Sequence, residues 1–167
     1  MLGDRPTASI GEIAAAAGVA RQTVYAHFRS RQALLEAVAE RALGETVAAI
    51  DGAEPKRGSP AEALERLVRV WWELVSRYAR VLEALVPAVS TAGDMRAFHA
   101  PILDRLRRLI RRGQRLGEFD RKLDADWLAL SFLALMHMAA DEVANGRRSA
   151  ADAEAALLRS IPRLFAV

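Results

Sequence analysis

The short segment 21–28 carries side chains suited to binding nucleic acid. Its residues that can donate or accept side-chain hydrogen bonds are Arg21, Gln22, Thr23, Tyr25 and His27. Arginine and glutamine make bidentate contacts to base edges in a major groove, whereas threonine, tyrosine and histidine can reach phosphate oxygens. The surrounding stretch 13–35 contains three arginines and no acidic residue, so its local charge favours a polyanionic partner.

The apolar spacing of this segment predicts a helix with one polar side. At 100° per residue, Val24 and Phe28 share one face and are expected to pack inward. Gln22 and Ala26 lie on the opposite face, which is small and polar enough to enter a major groove. An ordinary amphipathic hairpin has the same pattern, so spacing alone leaves both interpretations open.

The residues on either side of this helix predict a helix-turn-helix. Ser9 and Glu12 have the Ser-x-x-Glu spacing of a capping box, which marks the start of a first short helix. Gly18 ends that helix, because glycine readily adopts the left-handed backbone found at helix ends. Ser30 is expected to cap a third helix that runs to about residue 50. Two short helices joined by a tight turn have the size and turn chemistry of a helix-turn-helix.

The stretch 10–35 combines two specific motifs. It reads IGEIAAAAGVARQTVYAHFRSRQALL, and so contains Gly-Val-x-x-x-Thr-Val-Tyr-x-His-Phe followed by Ser-Arg-x-x-Leu-Leu. This combination resembles the DNA-binding segment of the tetracycline-repressor (TetR) family, over about residues 8–40. The resemblance implies an all-helical homodimer that binds a palindromic double-stranded DNA operator. It also implies a ligand-responsive regulator, most often a repressor, that a small-molecule effector releases from DNA.

The resemblance also implies a role for individual residues. The side chains expected to face bases are Arg21, Gln22 and Ala26. The side chains expected to hold phosphates are Thr23, Tyr25, His27 and Arg31.

One departure from the family concerns the residues before Ile10. The family places a full helix there, packed across the helix-turn-helix, whereas only nine residues precede Ile10 here, Gly3 and Pro6 among them. We therefore expect either a start further upstream or a chain that lacks this first helix. In the second case, the alternative is a helical ligand-binding or dimerisation protein whose DNA binding is impaired.

The composition predicts an all-α chain with two domains. Of 167 residues, 52% are hydrophobic and none is cysteine, which excludes a disulfide scaffold and a thiol nucleophile. Helical apolar spacing predicts about nine helices and no sheet, with breaks at the connector 51–60 and near Pro87. We assign residues 1–48 to the DNA-binding domain and residues 49–167 to a helical effector-binding and dimerisation domain.

Several other classes of protein do not fit the sequence. The three histidines are scattered and no paired carboxylates converge, so we expect no enzyme, no metal site and no resident cofactor. The longest uncharged apolar run, 127–140, is shorter than the roughly 18 residues that a bilayer crossing needs. No secretory signal is visible, so we expect a cytoplasmic protein without a membrane partner.

The large or polarisable residues of the second domain are candidates to line an effector cavity. They are Trp71, Tyr78, Phe98, His99, Phe132, Met136, His137 and Asp141. Most recur at helical spacing, so core packing is the default interpretation of each. His137 and Asp141 lie four residues apart in an apolar helix, where a mutual hydrogen bond, an effector contact or a metal site with His99 would satisfy them. We expect an apolar or amphipathic effector.

The last two helices are expected to form the homodimer interface. The helix that begins after Asp124 is apolar nearly all round, so it must be covered on both sides. The final helix offers small and medium residues for close packing, namely Ala153, Ala156, Leu157, Ser160, Ile161 and Leu164. The resemblance implies a four-helix interface between two copies at this position.

Overall fold

Our computed structural model describes the backbone of residues 8–85 and 96–167, and the side chains of residues 8–77 and 96–167. These residues are helical, with no strand among them, which confirms the expected all-α class. The helices are α1 (Ile10–Ala16), α2 (Arg21–His27), α3 (Arg31–Gly52), α4 (Pro60–Leu85), α5 (Ala100–Leu116), α6 (Ala125–Ala144) and α7 (Ala150–Phe165). Residues 96–98 are also helical. The break expected at Pro87 and the side chain of Tyr78 lie outside the described residues.

The predicted caps set the starts of the helices. The Oγ of Ser9 accepts a hydrogen bond from the Glu12 N–H at 3.3 Å, and the Glu12 carboxylate accepts one from the Ser9 N–H at 2.8 Å. Ser30 and Asp124 cap α3 and α6 through their side-chain oxygens. These contacts satisfy N–H groups that the first helical turn leaves without partners, so each helix begins where its cap lies.

The described apolar residues form two separate cores. The small core contains Ile10, Ala14, Val24 and Leu34, with Ile13, Phe28 and Val38 packed against it. The large core is built by α3 to α7 and extends from Ile50 to Phe165. Helix α3 contributes to both cores and runs without a break through residue 48. It therefore connects α1 and α2 mechanically to the helical bundle.

Helix α6 is the central helix of the bundle. It packs against α4, α5 and α7, and Leu128, Phe132 and Met136 on it are fully buried. By length and composition alone it could cross a membrane, and no other helix among the described residues meets that criterion. Its contacts are those of a core helix in a folded bundle.

Three arginines fix the C-terminal end of α3 and the connector that follows. Arg66 on α4 donates to the carbonyl of Ala53 at 3.2 Å. Arg112 on α5 donates to the carbonyl of Pro55 at 3.2 Å. Arg105 forms a bidentate pair with Asp51 at 2.6 and 2.7 Å, and this hydrogen bonding holds the pKa of Asp51 below its ordinary value. The end of α3 that is distant from α2 is thus tied to the bundle.

Candidate nucleic-acid interface and effector cavity

Helix α2 turns its apolar side toward the protein and its polar side outward. Val24 is only 8% exposed and belongs to the small core, and Phe28, directly after the helix, is half-buried against it. The predicted DNA-contacting residues of this segment are all exposed: Arg21, Gln22, Thr23, Tyr25, Ala26 and His27. The inward packing predicted for Val24 and Phe28 is therefore confirmed. These six exposed residues form a polar ridge on the surface.

The turn between α1 and α2 sets the angle of this ridge. Gly18 has a φ of 68°, a left-handed conformation that suits glycine. The N–H of Val19 then donates to the carbonyl of Ala14 at 3.0 Å, which closes the end of α1. At the other end of α2, the N–H of Phe28 donates to the carbonyl of Val24 at 2.8 Å. The short helix is thus held at both ends by backbone hydrogen bonds.

Arg21 and Tyr25 form a contact that the sequence analysis did not include. The Arg21 Nη2 donates to the Tyr25 hydroxyl at 3.2 Å, and the guanidinium carbon lies 5.3 Å from the centre of the Tyr25 ring. Their four-residue separation on one helix is the signal that could have indicated it. The hydrogen bond with Tyr25 raises the pKa of Arg21 above its ordinary value, so the guanidinium stays charged. Tyr25 therefore orients Arg21 at the start of the ridge.

Arg31 lies apart from the exposed ridge. It is half-buried at the first position of α3, and its Nε donates to the carbonyl of Ala8 at 3.1 Å. This hydrogen bond ties the backbone before α1 to the start of α3. The structure thus gives Arg31 a protein partner in addition to the phosphate predicted from the resemblance.

A small cavity lies between α3, α4, α6 and the start of α5. It encloses about 20 Å³, which is room for one water molecule. Four of the predicted effector-site residues line it, namely Trp71, Phe98, His99 and His137. Phe132 and Met136 instead lie fully buried in the core, where Phe132 stacks on Trp71 at 5.3 Å. The structure therefore brings together half of the predicted set.

Helix α3 contributes lining residues that the sequence analysis missed. They are Ala42, Leu43 and Thr46. Thr46 is buried and its hydroxyl donates to the carbonyl of Ala42 at 2.8 Å. The signal was available, because Thr46 follows Ala39 and Ala42 on the stripe of α3 that leads to Ile50. The cavity therefore adjoins the helix that joins the ridge to the bundle.

Two histidines face each other in this cavity. The His99 and His137 ring centroids lie 4.9 Å apart at an interplanar angle of 64°, and the Phe98 ring packs edge-on against His99 at 5.0 Å. Burial, and to a lesser extent the proximity of His99, lowers the pKa of His137 from its ordinary value of 6.5 to about 4. His137 is therefore a neutral imidazole at neutral pH, with one N–H donor and one nitrogen acceptor.

Of the three interpretations of His137 and Asp141, the mutual hydrogen bond is wrong. Asp141 is exposed, accepts from the Asn145 amide at 2.8 Å and pairs with the guanidinium of Arg147. It lies in the last turn of α6, where the side chains that follow the helix can reach it, whereas His137 faces His99 at the start of α5. Asp141 does not line the cavity. Among the described residues, no three histidine, aspartate or glutamate side chains are grouped closely enough to hold a metal ion.

Helix α6 also presents an exposed apolar face. Trp127 and Met138 are 59% and 57% exposed, and exposed Ala134 lies between them on the same side of the helix. Exposure of two such large apolar side chains on one helix face is typical of a surface that another protein covers.

Comparison with known proteins relates both parts of the chain to one family. The family described as "Bacterial regulatory proteins, tetR family" matches residues 6–38. The HTH-type transcriptional repressor LfrR of Mycolicibacterium smegmatis (strain ATCC 700084 / mc(2)155) is 46% identical over 68 residues. That stretch covers 41% of this chain and 36% of LfrR, so it spans about a third of the curated relative.

Solved structures extend the likeness to the helical bundle. The TetR-like transcriptional regulator LfrR from Mycobacterium smegmatis, in complex with proflavine, is 27% identical with a TM-score of 0.76, covering 99% of this chain and 90% of that chain. The TetR family regulator PfmR from Thermus thermophilus has a TM-score of 0.74 at 23% identity, covering 95% of this chain and 89% of that chain, which shows the shared fold. The motif segment thus matches the tetR family of bacterial regulatory proteins over residues 6–38, and the order of the helices is that of the TetR-like fold.

Proposed function

We propose that the chain is a ligand-responsive, DNA-binding transcriptional regulator. It acts as a repressor that binds a palindromic operator and leaves it when a small-molecule effector binds. The observation that carries this proposal is the orientation of α2, with Val24 and Phe28 inside and the polar ridge outside. A helix of this shape enters a major groove with its polar side toward the base edges.

On the ridge, residues divide between base and phosphate contacts. The residues that face bases are Arg21, Gln22 and Ala26, of which Arg21 is oriented by Tyr25. The residues that hold phosphates are Thr23, Tyr25 and His27 on the ridge and Arg31 beside it. Phosphate contacts fix the position of the helix on any duplex, whereas base contacts provide sequence preference.

The regulator acts as a homodimer through α6 and α7. Trp127 and Met138, exposed on one face of α6, supply apolar area that a second copy would cover. A two-fold dimer presents two ridges to one face of DNA, so half-sites should lie about 34–36 Å apart, near one helical turn. Two half-sites related by the dimer axis read a palindrome.

The effector acts through the cavity beside α3. Ala42, Leu43 and Thr46 of α3 line this cavity, and the same helix continues to the small core that supports α2. A ligand that fits one dimer geometry better than the other shifts the equilibrium between them without contact to DNA. The complex of LfrR with proflavine is a precedent for a small ligand in a protein of this fold.

Duplex-binding measurements test this proposal. An operator is selected from random duplexes by repeated binding, and affinity for it and for random DNA is measured by fluorescence anisotropy. Gln22→Ala should weaken binding to the selected operator by about tenfold or more while random-sequence binding changes little. Thr23→Val should weaken both to the same extent, because it removes a phosphate contact.

Arg41→Ala is the matched control. Arg41 is an exposed basic residue on α3 that pairs with Glu45, outside the ridge. Its removal should leave operator preference unchanged. Equal losses on both duplexes for Gln22→Ala would overturn its base-reading role. A folded chain that binds no duplex but still binds small molecules would favour a helical ligand-binding protein with impaired DNA binding.

A further inference from the structure

We propose that the cavity between α3, α4 and α6 selects a neutral aromatic ligand that carries a hydrogen-bonding group, and that it rejects organic cations. This inference rests on the proposed function, since it names the class of effector. It follows from three properties of the lining: its charge, its ring surfaces and its polar atoms.

The first property is that the described part of the lining carries no formally charged side chain. None of the described residues that line the cavity is Asp, Glu, Lys or Arg. The polar groups of the lining are the side chains of Thr46, His99 and His137. A cation moved from water into such a site loses its hydration and gains no carboxylate partner from the described lining, which is strongly unfavourable.

The protonation of His137 indicates that a positive charge is unfavourable in this site. Its imidazolium form is disfavoured, since burial together with the proximity of His99 lowers its pKa to about 4. An organic cation in the same place would meet the same desolvation and the same neighbour.

The second property is the aromatic surface. Trp71 lies on one side of the cavity and is braced by its stack with Phe132 at 5.3 Å and 26°. Phe98, which is half-buried, packs edge-on against His99. Rings prefer offset-stacked or edge-to-face arrangements with other rings, so this lining fits a flat aromatic ligand. The present volume of about 20 Å³ means that such a ring must displace a lining side chain, and Phe98 is already partly exposed to solvent.

The third property is the capacity for neutral hydrogen bonds. A neutral imidazole offers one donor and one acceptor, and the Thr46 hydroxyl keeps acceptor capacity while it donates to Ala42. A phenol-type hydroxyl can therefore both donate and accept inside the cavity. A ligand without a polar group would make none of these hydrogen bonds, which lowers its affinity relative to a phenol.

Isothermal titration calorimetry on the full chain, without DNA, tests the inference. The probes are 2-naphthol, its cationic relative 2-naphthylmethylammonium, and the cationic dye proflavine. We expect 2-naphthol to bind at least about tenfold more tightly than either cation, in line with the penalty on an unpaired buried charge. The inference is overturned if either cation binds as tightly as 2-naphthol, or if 2-naphthol shows no binding up to its solubility limit.

Two variants locate the selectivity in the cavity. His137→Leu should reduce 2-naphthol affinity by about fivefold or more, because it removes a hydrogen-bonding partner. Leu74→Glu places a carboxylate on a half-buried lining residue and should raise the affinity for 2-naphthylmethylammonium. Leu74→Gln controls for size and polarity, and Leu116→Glu adds the same charge at an exposed position at the end of α5.

The outcomes separate this inference from the proposed function. Circular dichroism identifies any variant that fails to fold, and the selectivity of the unmodified chain decides the question in that case. If 2-naphthol binds selectively while no duplex is bound, the inference on the ligand stands and the proposal of a DNA-binding regulator is overturned. If Leu74→Glu folds but gains no affinity for the cation, or if Leu116→Glu gains as much, the cavity is not the source of the selectivity and the inference is overturned.

Discussion

The two cores of this chain support function in opposite ways. The small core has four buried residues, Ile10, Ala14, Val24 and Leu34, and the candidate functional side chains of α2 beside it point to solvent. The large core has many more buried residues, and its candidate functional side chains, such as Trp71 and His99, lie inside it. Side chains that bind DNA must be exposed and held in position by the core beneath them. Side chains that bind a small molecule must surround it.

This difference predicts which region is more sensitive to which change. Few buried residues provide little hydrophobic stabilisation, so the α1–α2 unit depends on local caps and on α3. The bundle depends on tightly packed interior side chains, whose removal leaves cavities. Pairs of identical substitutions, one in each region, therefore test the comparison directly.

Phenylalanine truncation should give the largest difference. Phe132 is fully buried and stacks on Trp71, so Phe132→Ala should reduce the free energy of unfolding by about 3–5 kcal/mol. Phe28→Ala removes the same ring from a half-buried position beside the small core and should have a clearly smaller effect on the bundle. Urea denaturation followed by circular dichroism measures both. Equal losses would show that the two cores unfold as one unit and would break the comparison.

The sequence predicts the two regions unequally for the same physical reason. The ridge lies within one contiguous motif, and its caps and inward residues follow from local spacing, as for Ser9 and Val24. The cavity joins Thr46, Trp71 and His137 from three helices, and which helix faces which depends on tertiary packing. A four-residue spacing placed His137 near Asp141, but it could not show that His137 faces His99 while Asp141 pairs with Arg147.

The buried imidazole should make the stability of the bundle depend on pH. His137 has a pKa near 4 in the folded chain against 6.5 ordinarily, so between these values the unfolded chain binds a proton that the folded chain does not. Stability is therefore complete above about pH 6.5 and falls as the pH drops toward 4. Between about pH 7.5 and pH 5 the change should be about 2 kcal/mol, from roughly 1.4 kcal/mol per pKa unit.

Urea unfolding at both pH values measures this change. His137→Leu should abolish most of the extra loss at pH 5, because leucine cannot take up a proton. His99 is the other titratable residue in the described lining and faces His137, so it is replaced in a second variant to apportion the effect. His27→Gln removes an exposed imidazole from α2 as the matched control in the other region. If His137→Leu loses as much stability at pH 5 as the unmodified chain does, another residue causes the pH dependence.

Truncation of one valine in each core should destabilise different helices, even where the two losses of stability are similar. Val24→Ala removes two methyl groups from the small core and should cost about 1.5 kcal/mol, at roughly 0.8 kcal/mol for each buried carbon. Amide hydrogen exchange should accelerate in α1 and α2 while the bundle keeps its protection. Val68→Ala, at a fully buried position of α4, should instead accelerate exchange throughout the bundle. If Val24→Ala accelerates exchange in α6 as much as in α1, the small core is not a separate unit.

The smallest expected effect concerns helix caps, and it is the sharpest test of function. Ser9 caps α1 and Ser149 caps α7 through the same contact, in which the serine Oγ accepts the N–H of the third helical residue at 3.3 and 3.0 Å. Each serine-to-alanine change should cost about 1 kcal/mol. Their consequences should nevertheless differ, because α1 supports the ridge directly while α7 is anchored by a large core.

Ser9→Ala should therefore weaken duplex binding by loosening α1 beneath Val24, while ligand binding in the cavity stays unchanged. Ser149→Ala should lower the thermal midpoint of the chain by a similar free energy and leave duplex affinity per folded molecule unaffected. Fluorescence anisotropy with DNA, corrected for the folded fraction, distinguishes the two. Should Ser149→Ala reduce duplex affinity as much as Ser9→Ala, the bundle would set the position of the ridge as strongly as the local cap does. The functional difference between the two regions would then lie in their surfaces and not in how they are held.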